Sequence, residues 1–361
     1  MRELKCKGRA RSETPSSNGP RGFAFRVSHL AILTAAVLLT PAPAWSVEFG
    51  VQVAPEGTTY EELVETFQLI EKLGYDSAWL NDHFIPARGD KQSPHFESWI
   101  LLAALAEHTE RIRLGTLVSG NTYRHPAVLA KMATTLDYVS KGRLNLGIGA
   151  GWEEYEHRAY GIPFYSAHER AERLGEALQV IRLLWQEDKP SFDGEYYDLT
   201  EAEFQPKPLQ KPHPPIIVGG KGKKWILPLV ARYADEWNAP VTVSPSQLKE
   251  GLEIIRAECA RIERDPCVRE VSIFLPVVTI SDVPLVETVT RLGARIVAGD
   301  VARNVLTGSP DSIKKQIREY LDAGATRVII TTRPGIDRDI MRRFAQEIVP
   351  SFRGAANEPA S

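Results

Sequence analysis

From Val47 onward, short runs of apolar and β-branched residues alternate with longer segments whose apolar positions recur every three or four residues. Side chains repeat every two residues along a strand and every 3.6 along a helix, so the first pattern reads as strand and the second as amphipathic helix. Residues 47–53 are predicted as the first strand. Leu63, Phe67, Ile70 and Leu73 share one face of a helix over 60–73, which Gly74 stops. Further strands are predicted at 77–80, 112–118, 144–148, 216–218, 236–238, 271–280 and 327–331. Helices are predicted at 99–108, 127–139, 167–185, 223–233, 245–262, 310–323 and 336–348. A small hairpin is expected at 192–197 and a proline-rich connector over 206–215. Eight strands alternating with helices predict an α/β fold: a (β/α)8 TIM barrel with a short insertion after the fourth βα unit. An open doubly wound sheet is the alternative.

Composition removes several function classes. Hydrophobic residues are 43% and charged residues 25% of the 361, as in an ordinary globular protein. Lys plus Arg is 44 against 46 for Asp plus Glu, a net charge of −2, so no basic excess calls for a nucleic-acid partner. Cys6, Cys259 and Cys267 are too few for a disulfide framework and lack metal-ligand spacing; the last two could pair only if the chain is exported and otherwise read as free thiols, and no metal is expected. Ahead of the barrel, seven Lys and Arg residues between Arg2 and Arg26 precede an apolar run at 30–39, and Ala42, Pro43 and Ala44 follow. That segment reads either as a secretory signal or as a start assigned too far upstream, and it is too short for a membrane span. The division is then a leader at 1–46, the barrel at 47–350 and a flexible tail at 351–361. The expected location is cytoplasmic, with export as the alternative if the segment before Trp45 is a signal peptide.

Barrel enzymes draw their active groups from the C-terminal ends of the strands. After the second predicted strand stand Asp82 and His83. A histidine there suits proton transfer or holding a cofactor ring, with a hydrogen-bonded structural histidine as the plain alternative. After the fourth come Gly149, Ala150, Gly151, Trp152 and Tyr155, where glycines let a phosphate or flat ring lie against main-chain amides; a tight turn serves equally. Trp152 occupies the third glycine place of a dinucleotide fingerprint, which argues against that motif. After the fifth, Gly219 and Gly220 lead into Lys221 and Lys223, an anion site at a helix start. Trp237 and Asn238 end the sixth, able to wall a ring or to sit in the core. Gly-x-Ser-x-Gly, His-Glu-x-x-His and Walker A patterns are missing, so hydrolysis is disfavoured.

Together these segments resemble the luciferase-like monooxygenase superfamily. The resemblance rests on Gly74-Tyr-Asp-Ser-Ala-Trp-Leu-Asn-Asp-His-Phe84, Arg111-Ile-Arg-Leu-Gly-Thr116, Tyr123-Arg-His-Pro126 and Leu136-Asp-Tyr-Val-Ser-Lys-Gly-Arg143. It continues through Gly149-Ala-Gly-Trp-Glu-Glu154, Tyr160-Gly-Ile162, Pro215-Ile-Ile-Val-Gly-Gly220 and Ala234-Asp-Glu-Trp-Asn238. These motifs span about residues 47–350 in order, and the chain is most similar to the group that uses coenzyme F-420, an 8-hydroxy-5-deazaflavin.

The resemblance implies a ring across the barrel mouth with Asp82 and His83 beside its reactive carbon. Leu117 and Val118 would form a bulge behind the ring, with a cis peptide between them in relatives. Gly149, Ala150, Gly151, Trp152 and Tyr155 would line the ring and side chain, and Ile217, Val218, Gly219 and Gly220 the tail. Sugar-phosphate dehydrogenases of the family carry a catalytic Glu where Trp152 stands and a Trp where Ala87 stands. The departure speaks against sugar oxidation and is compatible with reduction of a carbonyl or unsaturated substrate. The expected function is hydride transfer between the deazaflavin and a small organic substrate. The alternatives are a flavin mononucleotide (FMN) monooxygenase and a non-catalytic flavin-binding barrel. The loops at 88–94 and 278–307 are expected to set the substrate. Relatives are often homodimers, although no interface pattern shows in the sequence.

Overall fold

The computed structural model describes residues 47–87, 89–283, 304–332 and 336–353. The leader, residues 354–361 of the expected tail, Arg88 and most of the 278–307 loop lie outside them. Eight parallel strands close into a barrel: β1 Glu48–Val53, β2 Ser77–Leu80, β3 Arg113–Thr116, β4 Leu144–Gly149, β5 Ile216–Gly219, β6 Glu236–Ala239, β7 Glu270–Ile280 and β8 Arg327–Thr332. Successive strands pair in order, and β8 pairs with β1 to complete the ring. Helices α1 Tyr60–Lys72, α2 Ser98–Ala106, α3 Pro126–Val139, α4 Glu154–Ala159, α5 Ala167–Gln186, α6 Ile226–Tyr233, α7 Pro245–Arg261, α8 Pro310–Asp322 and α9 Arg338–Glu347 accompany it. The predicted (β/α)8 barrel is the observed fold.

The strands alternate faces, and the two faces make two cores. Ala78, Leu80, Ile216, Val218, Val328 and Ile330 point outward into the layer under the helices. Trp79, Leu117, Ile217 and Ile329 form a separate cluster. Trp79 is fully buried and its Nε1–H donates to Ser77 Oγ at 2.9 Å. Gly115 on β3 makes room for it: a Cβ there would stand 2.4 Å from the Asn145 carbonyl oxygen and 2.8 Å from the indole. Gly115→Ala should therefore cost about 1–3 kcal/mol, measured as a lowered denaturation midpoint. An unchanged midpoint would show that the strand relaxes freely.

The N-terminal ends of the strands carry an ionic layer. Arg327 opens β8 with its side chain 5% exposed, and it pairs with Glu48 of β1, Glu236 of β6 and Glu270 of β7, the last at 2.7 Å. Burial alone would loosen its proton; the three carboxylates outweigh that and hold the guanidinium charged more firmly than usual.

Some local expectations change. The strand predicted over 112–118 stops at Thr116. The Leu117–Val118 peptide is cis, and Ser119–Gly120 pairs instead with Ile148 and Gly149 of β4. α6 begins at Ile226, three residues later than expected, and Leu306–Gly308 pairs with β7 inside a stretch read as loop. Cys259 and Cys267 are not free thiols: the chain doubles back after α7, brings their Cα atoms to 5.7 Å and joins them as a disulfide. At the other end Phe352 packs on Phe49 and Arg353 pairs with Asp76 at 2.6 Å.

Candidate active site

The C-terminal ends of the strands deliver Asn81, Asp82 and His83 together, all buried. Asp82 faces Arg124, which donates from both terminal nitrogens at 2.7 and 3.1 Å and also pairs with Glu97. Burial alone would weaken the Arg124 charge, but the two carboxylates outweigh it and reinforce it. The partner of His83 is Glu156: Nδ1–H donates to Oε2 at 2.9 Å. Burial alone would raise the Glu156 carboxyl, but hydrogen bonds from His83 and Tyr123 outweigh it and hold it below the usual range. A carboxylate at Nδ1 assigns the tautomer and leaves Nε2 for a ligand at the mouth. The Trp152 ring meets the His83 ring edge to face at 5.6 Å.

Glu156 sits on α4, a short helix that periodicity alone does not reveal. Its buried face holds Glu156 and His157. The His157 Nδ1–H donates to the Glu153 carbonyl at 2.7 Å, and Nε2 accepts from the Thr122 hydroxyl at 2.7 Å. Gly151, at φ +79°, turns the chain from β4 toward this helix, in a backbone region where a side chain is strained.

Beside His83 the mouth is floored by the Leu117–Val118 bulge. Gln52 Nε2 donates to the Leu117 carbonyl at 2.8 Å. Val118 is flanked by Gly149 and Gly219, where a Cβ would approach its methyl groups to 2.9 Å. Ala150, Gly219 and Gly220 are partly exposed. The fully buried side chains of Ile217 and Val218 face the inner cluster and the outer core respectively. Trp237 is likewise packed in the outer core against Gly251, and reaches the loop only by donating from Nε1 to the Gly220 carbonyl at 2.8 Å. Asn238 donates to Ser272 Oγ at 2.9 Å. Lys223 is paired with Glu250.

Reading only the residues after each strand misses Glu156, Arg124, Glu97 and His95. The His95 side chain is 2% exposed, and among the described residues neither ring nitrogen has a partner of ordinary hydrogen-bond length; Glu56 lies 3.8 Å from Nδ1. Burial, aided by the neighbouring His83, pushes His95 down to about 4 from the ordinary 6.5. The fold thus holds a neutral imidazole that the unfolded chain protonates below 6.5. Its linkage is neutral above that value and erodes stability as pH falls from 6.5 toward 4. In urea melts across this window, His95→Phe should flatten the slope; a slope equal to that of the unaltered chain would remove His95 as its source.

A family model described as luciferase-like monooxygenase matches residues 44–283. An F420-dependent glucose-6-phosphate dehydrogenase of Intrasporangium calvum is 31% identical over 327 residues, 81% of this chain and 95% of that protein. The enzyme of the same name from Amycolatopsis mediterranei is 28% identical over 84% of this chain and 98% of its own length. Among solved structures, an F420-dependent secondary alcohol dehydrogenase, in complex with an F420–acetone adduct, superposes with a TM-score of 0.75 at 23% identity. It covers 85% of this chain and 99% of that one. The coenzyme F420-dependent tetrahydromethanopterin reductase of Methanopyrus kandleri gives 0.73 at 20%, over 85% and 100%.

Proposed function

Because the chain belongs to the luciferase-like monooxygenase family, in its F420-dependent oxidoreductase group, we propose that it moves a hydride between coenzyme F-420 and a small organic substrate, with His83 handling the accompanying proton. The observation that carries this reading is the His83–Glu156 pair at the barrel mouth.

The residues fit the cofactor. Asn81 Oδ1 and Asn121 Oδ1 are buried acceptors without partners among the described residues, and a deazaflavin offers ring N–H and side-chain hydroxyl donors to satisfy them. Gly149 and Gly219 make room for the Val118 side chain on the bulge, and Gly219 and Gly220 offer backbone to a phosphate tail. When bound, a deazaflavin supplies two-electron hydride chemistry. The protein's own part is to hold the substrate oxygen at His83 Nε2 and to move the proton there. Asp82, tied to Arg124, is a positioning residue that fixes the strand end carrying His83.

Titrating the purified protein with F-420 and, separately, FMN tests this. Binding of F-420 alone supports the proposal, FMN alone turns it into a monooxygenase, and binding of neither discards the cofactor. Turnover of a reduced cofactor with added ketones separates an enzyme from a barrel that only stores it.

The proposal extends to oligomeric state and compartment. An apolar groove of about 600 Å³ runs over α2, α3 and α5, with Ile100 75% and Val128 53% exposed beside it. A homodimer through this face would cover them. Ile100→Asp combined with Val128→Asp should then give a monomer in light scattering, and a monomeric unaltered chain would discard the dimer. As for compartment, no described helix is long and apolar enough to cross a membrane. The Cys259–Cys267 disulfide favours export over the cytoplasm, since such bonds persist in oxidising compartments. Thiol counting and the mature N-terminus in the native cell decide between them.

A further inference from the structure

Large aromatic side chains left half in water usually mark a place where something docks. Three of them belong to α4 and its flanks: Trp152 is 59%, Tyr155 49% and Tyr160 54% exposed. The segment that buries Glu156 against His83 therefore also leaves three aromatic rings partly in water beside the mouth. Tyr160 lies over Phe84, ring centroids 5.1 Å apart and planes 32° from parallel, and its hydroxyl donates to the Phe84 carbonyl at 3.3 Å. Phe84 immediately follows His83, and Trp152 stands edge-on to it at 5.6 Å.

We infer that Trp152, Tyr160 and Phe84 form a substrate wall selecting an uncharged molecule with a flat apolar body and one carbonyl or hydroxyl group, an inference resting on the hydride-transfer reading. Glu156 occupies His83 Nδ1, so a substrate oxygen has only Nε2 to bond. An oxygen held there places its carbon skeleton within van der Waals reach of a ring centred 5.6 Å from the imidazole. The surrounding charges oppose an anionic substrate. Glu153 and Glu154 follow Trp152 directly. Lys91 donates to the Pro86 and Ala87 carbonyls at 2.6 and 3.1 Å, and Arg124 is committed to Asp82 and Glu97. A phosphate on the substrate would need a cation free to pair with it, and among the described residues Lys91 and Arg124 are already engaged. In reduction, the carbonyl carbon gains the hydride and both its electrons from the reduced deazaflavin. The C=O π bond breaks and its oxygen takes the Nε2 proton of the His83 imidazolium, which keeps its Nδ1–H on Glu156; a proton from solvent restores the imidazolium, and oxidation of the alcohol is the reverse, starting from neutral His83.

The test uses the full chain loaded with F-420 and compares acetophenone, acetone and glucose 6-phosphate. Acetophenone should exceed acetone in kcat/KM by at least about tenfold, with glucose 6-phosphate inert. Trp152→Ala and Tyr160→Ala should each remove about tenfold of that preference, chiefly through KM, and Trp152→Phe should retain it. If Trp152→Ala loses F-420, Tyr160→Ala decides. A preference unchanged in Tyr160→Ala, or glucose 6-phosphate turned over as well as acetophenone, overturns the wall while leaving the cofactor reading intact. Failure of the unaltered chain to bind F-420 overturns both.

Discussion

His83→Ala is expected to lower turnover with F-420 by about 10²–10⁴-fold, the usual worth of a placed general acid or base, with a far smaller change in F-420 affinity. The asymmetry follows from geometry. His83 is anchored by one nitrogen to Glu156 at 2.9 Å, and the proposed function gives its other nitrogen the substrate oxygen rather than the cofactor tail. Rapid-mixing absorbance of the deazaflavin reads the hydride step directly. Glu156→Gln separates positioning from proton transfer: an amide can accept from Nδ1–H but cannot stabilise the imidazolium, so the pH profile should move while F-420 still binds. Full activity in His83→Ala would remove it from the chemistry and leave the barrel as a binder.

Arg327→Met should destabilise the fold by about 3–5 kcal/mol, the scale for leaving a buried charge without its partner. Glu236, 3% exposed and paired with Arg327, would be stranded. Glu48 and Glu270 are about 40% exposed and can turn to water. The melting temperature should drop by roughly 5–15 °C, and Glu236→Gln in the same chain should restore part of it. F-420 affinity well below the melt should be unchanged, because the ionic layer lies at the opposite end of the strands from His83. A melting temperature unmoved by Arg327→Met would mean that the layer is hydrated and carries little.

The barrel was legible because its strands are short β-branched runs between turn signals and its longer helices keep a full apolar stripe. What escaped lacks such a pattern. α4 has six residues, Glu-Tyr-Glu-His-Arg-Ala, and buries a carboxylate and an imidazole in place of an apolar stripe. The site was half legible for the same reason. His83 and the glycine turns sit at strand ends, where barrel chemistry is sought. Glu156 and Arg124 arrive from a helix and a loop 73 and 42 residues away from their partners. A sequence states spacing along the chain, and such pairs are chosen by closure of the ring. Trp237 illustrates the converse: a strand-end residue that suits a cofactor wall belongs by side chain to the outer core. The Cys259–Cys267 bond is not the first reading because the seven intervening positions say nothing about the turn that returns the chain.

The pairing of β1 with β8 has a consequence for synthesis. Glu48 and Arg327, 279 residues apart, meet across that seam. While the chain is still on the ribosome, β1 has β2 on one edge and nothing on the other until β8 emerges. Closure is thus a late event reached over a very long loop, and the nascent chain carries an open sheet edge through most of its translation. Protease resistance of stalled nascent chains should therefore rise sharply only once residues past Thr332 have left the exit tunnel.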